Sequence, residues 1–172
     1  MTKASSHVTF SIVIATSGRE SITTTLAALT PQLEPGDEIL ILRDDTGDHG
    51  NTPRNNAIPR CAGSHILFID DDDKHLRDAL TYIREQVTKI PRKVHLFSMA
   101  YDDGRIVNPR WPLQIGFVGT PMICVPNTKG KLGKWSQRYE GDYDFMKTTL
   151  ELRHDEPVLH YDVIATVHPR RP

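Results

Sequence analysis

Three continuous apolar runs, each ending in a polar turn and followed by residues at helical spacing, constrain this chain most. They are TFSIVIA at Thr9–Ala15, EILIL at Glu38–Leu42 and HILFI at His65–Ile69. A strand with one face in water alternates apolar and polar residues, so an uninterrupted apolar strand must be covered on both faces. The intervening segments supply the cover. After the turn at Thr16–Gly18, Ile22, Leu26, Leu29 and Leu33 recur with helical period until Pro35–Asp37 breaks the pattern. Thr52 and Pro53 form an N-cap and first-turn pair that opens a second helix through Cys61, kinked or shortened by Pro59 and stopped by Gly63. A third helix is expected over Leu76–Val87. The order β-α-β-α-β-α predicts an α/β fold with a mostly parallel, Rossmann-like half-sheet over about residues 7–90. Ligands of such sheets gather beyond the carboxyl ends of the strands.

The remainder, about 91–172, changes character. Val94–Tyr101, the Asp102–Gly104 turn and Arg105–Val107 read as a hairpin. A Pro- and Gly-rich stretch follows from Pro109 to Gly133, then a helix from about Tyr143 to Leu152 and a closing strand over Val158–Val167. No linker separates the halves, so 1–172 is expected to be a single domain, with the second half smaller and mixed. With 172 residues, 38% of them hydrophobic and 25% charged, one ordinary core is within reach. The net charge of −1 gives no global case for binding nucleic acid or an anionic membrane. No apolar run approaches the roughly 18 residues of a membrane span, and the first residues lack the apolar region of a signal peptide. Cys61 and Cys124 match no zinc or redox spacing, which fits a reducing cytoplasm.

The third apolar run ends in Asp70, Asp71, Asp72 and Asp73. Helix capping accounts for one or two of these, at about 0.3–1 kcal/mol each against the helix dipole. Four in a row repel one another, and a hard divalent cation such as Mg²⁺ or Mn²⁺ would relieve that repulsion. A phosphate-binding P-loop is not the explanation: KGKLGKWS at Lys129–Ser136 has the wrong spacing and follows no strand signal. A dehalogenase-type phosphatase motif fits poorly because Lys74 occupies its Thr/Val position. An aspartate pair that holds a metal on the diphosphate of a sugar nucleotide fits better.

The order of motifs resembles that of the GT-A glycosyltransferases, most closely the family 2 group. SIVIATSGR at Ser11–Arg19 is similar to the family's first strand, and RDDTG at Arg43–Gly47 to its second-strand turn. TPRNNAIPRCAGSHILFIDDDD at Thr52–Asp73 matches its next segment through Arg54, Asn55, Ala62, Gly63 and the aspartates. GFVGT at Gly116–Thr120 matches a glycine-containing loop. YEGDYDF at Tyr139–Phe145 stands where an acidic pair should open a helix, with Gly141 replacing the usual glutamate.

That resemblance implies a small, trimmed GT-A fold and an inverting transfer from a UDP-sugar to an acceptor hydroxyl, of the hexosyl- or N-acetylhexosaminyl-transferase class. It implies Ala15, Thr16, Arg19, Asp44, Arg54, Asp70 and Asp71 as nucleotide-sugar contacts. Asp72 and His168 are implied as ligands of Mn²⁺ or Mg²⁺, and Asp142 as the catalytic base. From the residues alone, Asp71 and Asp73 read as cap, turn or outer-shell groups, Asp142 fits an N-cap as well as a base, and Arg54 reads equally well as a solvated helix-face residue. Two other function classes stay open: a sugar-nucleotide-binding module without turnover, and a metal-dependent phosphatase or nucleotidyltransferase with Asp70 as reactive group. The processive QxxRW motif is absent, which favours single additions. The sugar, the acceptor (glycan, lipid, protein or modified nucleic acid) and the oligomeric state are not legible.

Overall fold

The computed structural model describes residues 7–168. Its first half contains strand β1 (Phe10–Thr16), helix α1 (Ile22–Leu29), β2 (Glu38–Arg43), α2 (Asn51–Ala57) and β3 (His65–Asp70). After these come β4 (Lys74–His75), α3 (Ala79–Lys89), β5 (His95–Tyr101), β6 (Ile106–Val107), β7 (Ile123–Pro126), α4 (Gly141–Arg153) and β8 (Val158–Val167). One eight-stranded sheet runs β2-β1-β3-β7-β5-β8-β4, with β6 paired to β5. The expected parallel half-sheet is β2-β1-β3, in which Val13 faces Leu40 and Phe68 across the two ladders. The second half is mixed: β7 runs antiparallel to both β3 and β5, whereas β8 runs parallel to β5.

The unbroken apolar runs of β1 and β3 have a direct structural reason, whereas β2 lies at the sheet edge with Ile41 47% exposed and is not covered on both faces as expected. In β1, Phe10, Ile12 and Ile14 face a core layer completed by Leu29, Leu80, Ile83 and Val87 under α1 and α3. Val13 faces the opposite layer with Ala57, Trp135, Phe145 and Leu150, under α2 and α4. Strand β3 divides in the same way, Leu67 and Ile69 against Ile66 and Phe68. Phe68, Trp135 and Phe145 form an aromatic triangle with ring centroids 4.9–5.3 Å apart. This triangle joins β3 to α4 and to the segment before it.

Several local expectations shift. Lys74 and His75 pair with Thr166 and Ala165 of β8, and the amide of Leu76 donates to Ile164 O at 2.8 Å. The chain after the aspartates is thereby held extended, and α3 starts at Ala79 rather than Leu76. Helix α2 has Gly50, not Thr52, at its N-cap, and Asp48 accepts hydrogen bonds from both the amide and hydroxyl of Thr52. The helix ends at Ala57 and tightens into a 3₁₀ turn at Ile58–Arg60, where Pro59 sits. Helix α4 opens at Gly141 with Glu140 as N-cap, so Asp142 lies inside the first turn and is not the cap. Among the described residues, no helix is long and apolar enough to cross a membrane.

Candidate active site

The chain reverses direction of growth at β1, with β2 added on one side and β3 on the other, and a crevice opens beyond the strand ends at such a point. A cavity of about 350 Å³ lies there, lined by Ala15, Thr16, Ser17, Arg19, Asp44, Gly47, His49, Gly50, Arg54 and Asp70. Each expected nucleotide contact except Asp71 is on that wall. A second cavity of about 390 Å³ adjoins it and shares His49, Arg54 and Asp70. The second cavity takes Asp72, Asp73, Asp142 and His168, together with Gly116, Gly119 and Thr120 of the glycine-containing loop.

The four aspartates separate into distinct tasks. Asp71 is fully buried, and its carboxylate accepts from the Thr16 hydroxyl at 2.6 Å, the Ser17 amide at 3.2 Å and the Arg19 guanidinium. Both oxygens are engaged within the protein, so the expected nucleotide contact gives way to a clamp between the end of β1 and the acidic turn. Asp70 is ion-paired through Oδ1 with Arg54, and Asp72 through Oδ2 with Arg19 at 2.6 Å. Among the described residues, the second oxygen of each has no hydrogen-bond partner. Asp73 is 5% exposed and accepts the backbone N–H of His168. Burial, reinforced by the negative charges of Asp70 and Asp72, pushes its carboxyl up to about 9.

Oxygens of Asp70, Asp72 and Asp73 lie within 4.8 Å of one another. Hard carboxylate donors at this spacing fit a divalent cation, whose charge would offset the repulsion that raises Asp73. The trio contains Asp72, implied as a metal ligand, and Asp70, implied as a contact of the donor, together with Asp73. His168 lies outside the trio. Its Nδ1 is 2.8 Å from Asp102 Oδ2, and Nε2 has no partner among the described residues. A carboxylate on one ring nitrogen fixes the tautomer and orients the other, an arrangement common in metal-ligating histidines.

Arg54 is 2% exposed, which excludes the solvated helix-face reading. Its guanidinium donates to Asp70, to His49 O at 2.9 Å and to Asn51 Oδ1 at 3.2 Å, and lies 4.6 Å from the centroid of Trp135. Asp44 organises the loop around it. Its Oδ1 accepts from Thr46 and from the amide of Gly47, and Oδ2 from the amide of Gly50 at 2.8 Å. Burial works against ionisation there, but these bonds hold the carboxyl below its ordinary range. Gly50 has φ +78°, and a Cβ at that position would approach Ala15 Cβ to 2.7 Å, so only glycine closes this loop.

Asp142 faces the second cavity from the first turn of α4. Burial, with a smaller contribution from the charge of Asp70, pushes its carboxyl up to about 6, against the opposing effects of the Tyr143 N–H and Arg54. A carboxylate with a pKa close to neutrality suits a general base. Sequence reasoning missed His49, Asn51, Trp135 and Tyr139, which line the second cavity. The ring of Tyr139 stands edge-on to His49 at 5.6 Å, bridging the two halves. Only the proximity of Asn51 to Arg54 and of Tyr139 to Asp142 in the chain hinted at them.

No family model matches this sequence, and no curated protein matches it. Solved structures do. Residues 1–349 of S. aureus TarS in complex with UDP-GlcNAc superpose with a TM-score of 0.73 at 18% identity, covering 95% of this chain and 59% of that one. The same fragment in complex with UDP gives 0.73 at 17%, covering 94% and 60%. A longer TarS structure gives 0.72 at 17%, covering 94% and 37%. The chain therefore spans between about a third and three-fifths of these structures, and its fold is GT-A-like.

Proposed function

We propose that the protein is a metal-dependent inverting glycosyltransferase that moves a sugar from a UDP-sugar to an acceptor hydroxyl. The observation that carries this reading is the pair of adjoining cavities that meet at Asp70, one against the strand ends and one holding Asp142. The binding of UDP and UDP-GlcNAc by structures of the same fold supports the choice of donor. In this reading the nucleoside occupies the first cavity against Ala15, Thr16 and Asp44, and the sugar reaches into the second. A divalent cation held by Asp70, Asp72 and Asp73 would act as Lewis acid toward the departing diphosphate.

The chain's own groups do the rest. Arg54 holds Asp70 in place and brings a fixed positive charge to the junction of the cavities. Asp142 takes the proton of the acceptor hydroxyl as that oxygen attacks the anomeric carbon on the face opposite the diphosphate. One carbon–oxygen bond forms as the other breaks, which inverts the anomeric centre without a covalent enzyme intermediate. The pairing of Asp70 with a buried guanidinium argues against its use as a nucleophile, as a phosphatase would require. Release of UDP from UDP-GlcNAc in the presence of Mn²⁺ tests the proposal. Turnover that depends on the metal and on Asp142 is expected, and its absence with every UDP-sugar offered would leave only a binding module.

A further inference from the structure

The glycine at position 141, where the resemblance implies an acidic residue, has a physical counterpart on the opposite half of the molecule. A Cβ on Gly141 would come within 2.5 Å of Asn51 Oδ1 and 2.7 Å of both Cγ and Nδ2. These are contacts that real Cβ atoms do not make, so the Asn51 side chain occupies the space that a side chain at 141 would need. Asn51 is itself 2% exposed and committed at both ends. Its Nδ2 donates to Arg138 O at 2.9 Å, and its Oδ1 accepts from Arg54 Nη1 at 3.2 Å. The Arg138 carbonyl also accepts the amide of Gly141 at 3.1 Å. One amide side chain thus links the guanidinium that grips Asp70 to the turn from which α4 starts, one residue before Asp142.

We propose that Asn51 is a positioning residue that sets where α4 begins and therefore where the Asp142 carboxylate stands relative to Asp70. The inference rests on the glycosyl-transfer reading of Asp142. Gly141 is not a lost acidic residue in this account but the partner of Asn51. Asn51 on α2 is a wedge set against bare backbone at the start of α4. The wedge has two fixed hydrogen-bond partners, so it transmits position rather than merely filling volume.

The test compares Asn51→Ala, Gly141→Ala and the double variant with wild type. Four quantities are read: kcat and KM for UDP release from UDP-GlcNAc, thermal midpoint, and the ¹³C titration of the Asp142 carboxyl. Asn51→Ala is expected to lower kcat about tenfold or more, with KM for the donor within about twofold, because Asn51 does not line the first cavity and Arg54 keeps its bonds to Asp70 and His49 O. Gly141→Ala is expected to lose at least as much, and the double variant to regain part of the loss as the new Cβ enters the vacated space. The titration of the Asp142 carboxyl, which burial pushes up to about 6, is expected to move by about half a pH unit or more in Asn51→Ala. An unchanged kcat and an unmoved Asp142 titration in Asn51→Ala would overturn the proposal, as would equal losses in kcat and donor KM with no recovery in the double variant. Should wild type turn over no UDP-sugar, the glycosyl-transfer reading fails by itself, and the titration still decides whether Asn51 positions Asp142.

Discussion

Asp142 and Arg54 are the two side chains on which the site's electrostatics turn. Asp142 is held near pH 6 by burial, and a base acts only when ionised. The rate of UDP release is therefore expected to rise with pH through about 6 and then level off, the inflection vanishing in Asp142→Asn. That substitution is expected to lower kcat by about 10²–10⁴ while leaving UDP affinity unchanged, as calorimetry and steady-state kinetics would show. An equal rate in the variant would remove Asp142 from its role. Arg54 presents the opposite case, a buried cation with several acceptors. Arg54→Met leaves Asp70 beside Asp73 with no cation of its own, and breaking a buried pair from one side costs about 3 kcal/mol in urea unfolding. Motif order pointed to Asp142 and Asp72 for the roles proposed for them. The burial of Arg54 and the saturation of Asp71 were not legible, because Arg54 depends on Asp70 and Trp135 and Asp71 on Thr16, all distant in the chain.

The elements that hold these residues were legible in proportion to how local their causes are. Strands β1, β2 and β3 and the helices between them follow from apolar runs and periodicity, and so their order was open to inspection. Strand β4 was not, since two residues become a strand only because β8 lies beside them. The same holds for β7, whose apolar segment sits among prolines and glycines and is fixed by pairing with β3 and β5. The aromatic triangle of Phe68, Trp135 and Phe145 is the element-scale tie between sheet and site. Trp135 stacks on Phe145 and lies beneath Arg54. Phe68→Ala opens a void in a fully buried position and is expected to cost about 3–5 kcal/mol by chemical denaturation. It should also weaken UDP binding, since the floor under Arg54 moves. A stability loss with no change in affinity would uncouple the triangle from the site.

At the scale of the whole molecule, one sheet carries both cavities, and its two layers bury histidines as well as hydrocarbon. His95 Nδ1 stands 2.9 Å from His160 Nε2, with His160 stacked on Phe97 at 4.4 Å. Burial lowers His160 to about 4, with the neighbouring His95 adding to the effect. A folded-state pKa below the ordinary 6.5 means that the unfolded chain takes up the proton first. This contribution to stability is full above pH 6.5 and is lost as the pH falls toward 4. Relative to wild type, His160→Gln is therefore expected to resist acid better over that interval in urea midpoints measured against pH. A constant difference between the two proteins would contradict it. The account's central claim, however, concerns the strand ends, where a UDP-sugar and a divalent cation are proposed to meet Asp70, Asp72 and Asp73. The most direct test is the thermal midpoint with UDP, Mn²⁺ or both. Together, at about 100 times the dissociation constant, they should stabilise by about 2.7 kcal/mol, or roughly 7 °C for a chain of this size. Either alone should give much less, and Asp72→Asn should abolish the joint effect. A midpoint that UDP and Mn²⁺ together leave unmoved would contradict the account.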